Sequence, residues 1–276
     1  MLGAAALLAS EPPERMASAQ PSPVIEKFIV DDRGGDQRLP RVDGSWVVWE
    51  DYRRTQPSPT ASPTVGAGTP TPPPGTPVAV NWLADIRVRD LAQAESRRLP
   101  AEINAMNPVV SGDLAAWIEV TSKGDYDLVV YDLDDREIVR RIESGGAHAK
   151  PAISGRKLVW QDGRNPTADI RMYDLDKKEE SVIQEGDGQQ TRPAIQGNLV
   201  AWEDDRDGGR IWYKDLSSGS LQRIDNLNAA FEPAVYGKYI VFRSGGNADD
   251  PQDAGIYVFD TTNRSANQVS STRAGK

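Results

Sequence analysis

Three stretches of the chain place an aromatic residue, an aspartate and an arginine at every second position: Trp49-Asp51-Arg53, Trp160-Asp162-Arg164 and Trp202-Asp204-Arg206. A carboxylate with a guanidinium two residues further on can form a charge-assisted pair, or present both groups to a ligand. Two further stretches vary the theme, Trp117-Glu119 without the arginine and Phe242-Arg243-Ser244 without the acid. Recurrence at equivalent positions favours a turn-stabilising role for each pair, because catalytic residues tend to break a repeat rather than follow it. As a set, Asp51, Arg53, Asp162, Arg164, Asp204 and Arg206 mark one end of the molecule as the candidate binding face.

Other chemistry is largely excluded. The chain has no cysteine, so it has no disulfide framework, thiolate metal site or cysteine nucleophile. Its one histidine, His148, cannot supply a multi-histidine metal site; it reads as a surface-loop residue, with a place facing a central channel as the alternative. No Gly-x-Ser-x-Gly elbow is present to carry a serine hydrolase. The acidic loop Asp204-Asp205-Arg206-Asp207-Gly208-Gly209 offers oxygens for calcium but lacks the EF-hand pattern, so no cofactor is predicted, with calcium as the alternative. Gly145-Gly146 and Gly245-Gly246 read as tight turns, since no helix start follows them.

The 276 residues carry 41 Asp+Glu against 32 Lys+Arg, a net charge of −9. That balance argues against nucleic acid as a partner, which needs a basic surface to neutralise phosphates. No apolar run approaches the roughly 18 residues of a membrane span.

The elements that position the candidate residues follow from an internal repeat. Five segments carry Pro-x-x-x-Gly and, five residues later, an aromatic: Pro40/Gly44/Trp49, Pro108/Gly112/Trp117, Pro151/Gly155/Trp160, Pro193/Gly197/Trp202 and Pro233/Gly237/Phe242. Each resumes with an aliphatic residue four before an aspartate: Ile86/Asp90, Leu128/Asp132, Ile170/Asp174, Ile211/Asp215 and Ile256/Asp260. A unit reads as four short strands, labelled a to d in chain order. In the third copy these are residues 151–154, 157–160, 169–175 and 180–183, with glycine or polar turns between them. Four antiparallel strands in about 40–45 residues make a β-propeller blade, which buries its faces only against neighbouring blades. The repeated aromatic is then expected to pack between blades, with a ligand cage as the alternative. The fold class predicted is all-β, a propeller of five four-stranded blades, with six as the alternative. Phe28-Ile29-Val30 has the spacing of a fourth strand and is expected to close the ring. Asn267-Gln268-Val269-Ser270 qualifies for the same place.

The segments PAISGRKLVWQDGR…ADIRMYDL at 151–175 and QQTRPAIQGNLVAWEDDRDGGRIWYKDL at 189–216 resemble TolB-type propeller repeats, in the version found in surface and secreted proteins. The resemblance spans residues 24 to about 270. It implies a β-propeller outside the cytoplasm that serves as a protein-interaction module, with no shared catalytic residues.

Domain organisation follows. Residues 1–23 read as a leader with an apolar run and an Ala-Ser-Ala at 17–19, shaped like an export signal. Residues 24–272 form the propeller, with blades at about 37–102, 103–146, 147–188, 189–229 and 230–270. Residues 55–77, with eight of the chain's 20 prolines and no charge, are an extended loop insertion like the Ser/Thr/Pro stalks of exported proteins. The function expected is a non-catalytic, extracytoplasmic scaffold (periplasmic, cell-surface or secreted) that binds a protein or a cell-envelope polymer. A lectin-like propeller and a carboxylate glycoside hydrolase are the alternatives.

Overall fold

The computed structural model describes residues 36–54, 83–101, 104–143, 148–206, 208–225, 227, 229–245 and 254–271. Every regular element among them is a β-strand. The first sheet holds β1 (Gln37–Asp43), β2 (Trp46–Arg54), β3 (Leu83–Asp90) and β4 (Glu95–Arg98). The second holds β5 (Asn104–Ser111), β6 (Leu114–Val120), β7 (Tyr126–Asp132) and β8 (Glu137–Ile142). The third holds β9 (His148–Ser154), β10 (Lys157–Asp162), β11 (Asp169–Asp174) and β12 (Glu179–Gln184). The fourth holds β13 (Gln190–Gln196), β14 (Leu199–Asp204), β15 (Arg210–Asp215) and β16 (Leu221–Arg223). The fifth holds β17 (Ala230–Tyr236), β18 (Tyr239–Ser244), β19 (Gly255–Asp260) and β20 (Ser265–Ser271). Each is an antiparallel meander in chain order. β20 takes the fourth place in the last sheet. The expected closing strand at 28–30, the leader at 1–23 and the insertion at 55–77 lie outside the described residues.

The first strand of each sheet differs from its sequence reading in one instructive way. A proline lacks the ladder donor, so strand a was expected to begin there. Instead β9 begins at His148 and runs through Pro151. The register slips at this point in all five sheets, as between Thr191 and Ala194 or Phe231 and Ala234. The residue before the proline then adopts a positive φ: Leu39 49°, Asn107 54°, Lys150 49°, Arg192 50° and Glu232 57°. A bulge takes the donorless proline out of the ladder and lets the strand continue. These bulged stretches line one shared cavity of about 340 Å³, so the first strands surround a common axis.

The repeat's glycine opens the two-residue loop between first and second strands, where a positive φ is required, as at Gly155 (φ 54°). Its N–H also reaches the preceding sheet. Gly112 donates to Asp43 Oδ2 (2.7 Å), Gly155 to Ser111 Oγ (3.0 Å), Gly197 to Ser154 Oγ (2.9 Å), and Gly237 to Gln196 Oε1. The repeat's aspartate accepts N–H bonds in the turn after strand c, as Asp174 does from Asp176 and Lys177 (both 3.1 Å).

Apolar packing lies between sheets. Among the described residues four clusters join successive sheets, first to second through fourth to fifth. Trp117, Trp160, Trp202 and Phe242 each sit in the cluster shared with the preceding sheet. The inter-blade role expected for this aromatic is thus the one these four fill. Residues of the last sheet are open by contrast: Tyr236 at the end of β17 is 74% exposed and Val269 on β20 61%.

Candidate functional site

The second strand of each of the first four sheets carries an acid two residues beyond the aromatic, and that of the fifth carries Ser244, directly across from the first residues of strand a. The cross-strand pairs are Asp51 with Gln37, Glu119 with Ala105, Asp162 with His148, Asp204 with Gln190, and Ser244 with Ala230. All four acids are buried, and a buried carboxylate must be paired to stay ionised.

Each acid has a guanidinium. Asp51 Oδ2 lies 2.5 Å from Arg87 Nε, a residue of β3, and the side chain of Arg53 lies outside the described residues. Glu119, which has no arginine two residues on, lies 3.4 Å from Arg141 on β8 and accepts the Trp117 indole N–H at 3.4 Å. Asp204 accepts Arg206 Nε (2.8 Å) and Nη2 (2.6 Å), and the Arg206 guanidinium lies over the Trp212 ring at 4.8 Å. The sequence-predicted residues are therefore brought together as local pairs. Their acids face inward, while the arginine side chains stay partly open, 29% for Arg164 and 27% for Arg206.

Asp162 has the fullest set of partners. It accepts the Trp160 indole N–H (3.0 Å), Arg164 Nε (2.9 Å to each oxygen) and the Arg164 backbone N–H (3.1 Å). His148 Nδ1 is 3.3 Å from Oδ2, and Arg171 Nε is 3.8 Å away. Arg164 and Arg171 also share Glu180 Oε1, at 2.5 and 3.1 Å. Burial acts to raise the Asp162 pKa, but the nearby His148 imidazole and the bonds from Arg164 and Trp160 outweigh it and hold the carboxyl well below the usual range. The bond to Asp162 in turn raises Arg164 against the opposing effect of burial.

His148 corrects its loop reading. It is buried, opens β9, and meets the Trp160 ring edge-on with centroids 5.6 Å apart. In the acidic loop Asp204 is likewise engaged by Arg206, and Asp205 Oδ1 by the Gln189 N–H at 2.6 Å; Asp207 lies outside the described residues. Among the described residues no group of three or more His, Cys, Asp or Glu is arranged to hold a metal ion.

Two further acids went unnoticed in the sequence because their partners lie a whole repeat away. Glu50 Oε1 accepts the Asn107 N–H (2.7 Å), and Glu203 Oε1 accepts the Glu232 N–H (2.6 Å). Each tethers the next sheet's pre-proline residue. Glu50 also accepts the Tyr52 hydroxyl (2.8 Å); burial, with this bond, pushes Tyr52 up to about 12. The pre-proline residues put Lys150, Arg192 and Glu232 on the central cavity, with Arg41 beside them.

Five antiparallel four-stranded sheets around a common axis define a β-propeller, and the fold is of the TolB-like kind. Among solved structures, a putative TolB from Agrobacterium tumefaciens matches 88% of this chain and 84% of its own, with a TM-score of 0.58 and 15% identity. TolB from Acinetobacter baumannii matches 69% of this chain with a TM-score of 0.50 and 15% identity; the match spans half of that protein's length. A Pyrococcus horikoshii acylaminoacyl peptidase matches 85% of this chain but 38% of its own, with a TM-score of 0.60 and 12% identity. No protein-family model and no curated protein matches the chain. At these identities the likeness is one of fold.

Proposed function

We propose that the protein is a non-catalytic propeller scaffold, working outside the cytoplasm, which binds a protein or a cell-envelope polymer through the end formed by the loops between second and third strands. The observation that carries this reading is the pairing of Asp51, Glu119, Asp162 and Asp204 with guanidinium groups. A general acid needs a raised pKa and a base needs a free lone pair. Asp162 is shifted the opposite way, and its oxygens are taken. What such pairs do provide is loops held in one conformation, with the outer edges of Arg164, Arg206 and Glu180 on display. A preorganised surface of this kind loses little entropy on binding. The peptidase likeness spans little more than a third of the peptidase chain and concerns fold, so it brings no active site with it.

The test is capture from an envelope extract on immobilised protein, followed by cross-linking. Cross-links are expected on the loops at 121–125, 163–168 and 205–209, and capture should fall in an Arg164→Ala/Arg206→Ala double variant with an unchanged circular dichroism spectrum. Full retention by that folded variant, with cross-links elsewhere, would sink the face assignment.

A further inference from the structure

The end opposite those loops carries a cleft of about 490 Å³ between the fourth and fifth sheets. It is walled by the β13–β14 turn at Asn198, the β15–β16 turn at Ser217 and Ser218, and the β17–β18 turn at Lys238. Of the four side chains that reach the next sheet's glycine N–H, the one here is Gln196, longer than Asp43, Ser111 or Ser154.

The chemistry of the walls is neutral. In the second and third sheets the turn after strand c reads Asp134-Asp135-Arg136 and Asp176-Lys177-Lys178, whereas here it reads Ser217-Ser218-Gly219. Two charged side chains remain, and each is engaged. Asp215 accepts the Ser217 N–H (2.8 Å) and hydroxyl (2.6 Å), and Lys238 Nζ lies 2.8 Å from Asp260 Oδ2. Gln222 relays between Tyr213 and Ser220, accepting the phenol O–H at 2.8 Å and donating at 2.9 Å. The Asn198 amide has no hydrogen bond among the described residues, and the Gln196 amide nitrogen likewise keeps its donors. Leu199 and the buried Tyr213 ring supply apolar surface.

We propose that this cleft binds a neutral saccharide. Sugar hydroxyls both donate and accept, as amides and serine hydroxyls do, and the C–H face of a sugar ring suits the half-buried Leu199 at the floor. A charged ligand would find no uncompensated partner in Lys238 or Asp215. Peptide capture by strand addition needs a free ladder edge, and these walls are chiefly turns. The inference concerns a different end of the molecule from the proposed scaffold face and does not depend on it.

The test uses the full chain with maltose, cellobiose and N,N′-diacetylchitobiose as probes, read by saturation-transfer NMR and titration calorimetry. At least one probe should bind at millimolar concentration. Asn198→Ala and Gln222→Ala should each weaken it about 3- to 10-fold, the scale of one neutral hydrogen bond or slightly more. Ser218→Trp, at an exposed turn position, should block binding without touching the core, and Asp134→Ser at the equivalent turn of the second sheet should leave it unchanged. No binding of any probe by folded protein would overturn the proposal, as would binding that survives Ser218→Trp. Partner capture at the opposite end is measured separately, so either reading can fail alone.

Discussion

The third and fifth sheets share one sequence frame, Pro151/Gly155/Trp160 in the one and Pro233/Gly237/Phe242 in the other, yet only its apolar half is common to both. Trp160 and Phe242 are both fully buried against the preceding sheet. The polar half is present in the third sheet as Trp160, Asp162, Arg164 and His148. In the fifth, Phe242 has no N–H to donate, Ser244 stands in the acid's place, and Ala230 stands opposite it. Phe242 instead stacks on Tyr257, with centroids 5.9 Å apart. Indole and acid are thus present together in the first four sheets and absent together in the fifth, while the facing residue varies among Gln37, Ala105, His148, Gln190 and Ala230. The aromatic is the packing element of the blade, and the acid serves the loop and, in the second and third sheets, the indole as well.

The sharpest way to break that comparison is to truncate both positions in both sheets and follow urea unfolding. Trp160→Ala and Phe242→Ala should each cost about 3–5 kcal/mol, since both open a cavity between sheets. Asp162→Ala should cost about 2–4 kcal/mol, because it takes the acceptor from the buried Trp160 indole N–H and from the part-exposed Arg164 guanidinium. Ser244→Ala should cost less than about 1.5 kcal/mol. Equal costs at Asp162 and Ser244 would remove the distinction.

Acid unfolding sharpens it further. The folded pKa of Asp162 lies below its unfolded value, so the stability it contributes is present above the ordinary carboxylate range and is lost as the pH falls through the lower folded value. The wild type should therefore lose thermal stability more steeply between about pH 5 and pH 2 than Asp162→Asn does. Parallel profiles would mean that the network around Asp162 does not act through its charge.

Glycines give a smaller contrast. At Gly255 in β19 an added Cβ would run into the Ser270 carbonyl oxygen, so Gly255→Ala should cost about 1–3 kcal/mol as an overpacking change. Gly155→Ala meets open space but an unfavourable φ, and should cost about 1–2 kcal/mol. The smallest expected effect is a gain. Arg264 holds a φ of 57° where the fourth sheet has Gly219, so Arg264→Gly should stabilise by about 0.5–1 kcal/mol, read as a rise in Tm.

Much of the fold could be read from residue spacing. The second and third strands announce themselves as apolar runs between glycine and aspartate turns, and β10 and β11 lie where the repeat puts them. The first strand was legible only from its proline onward, because the rule that proline ends a ladder carries no hint of a bulge. That one omission put His148 in a loop, although Ala105, Gln190 and Ala230 at the same place in other repeats point to a crowded interior. The Asp162–Arg164 and Asp204–Arg206 pairs were visible because they are local. Arg87 and Arg141 were not, since they reach their acids across strands and no spacing within one strand reveals them.

The bulge before each proline has a consequence for how such a molecule can change. Its backbone geometry is set by the proline and the register slip, and the side chain at the strained position is left free: leucine, asparagine, lysine, arginine and glutamate occupy it in turn. Those five codons can be rewritten one at a time, each altering the charge around the central cavity while the sheets keep their pairing. The repeat thus separates inheritance of shape from inheritance of surface.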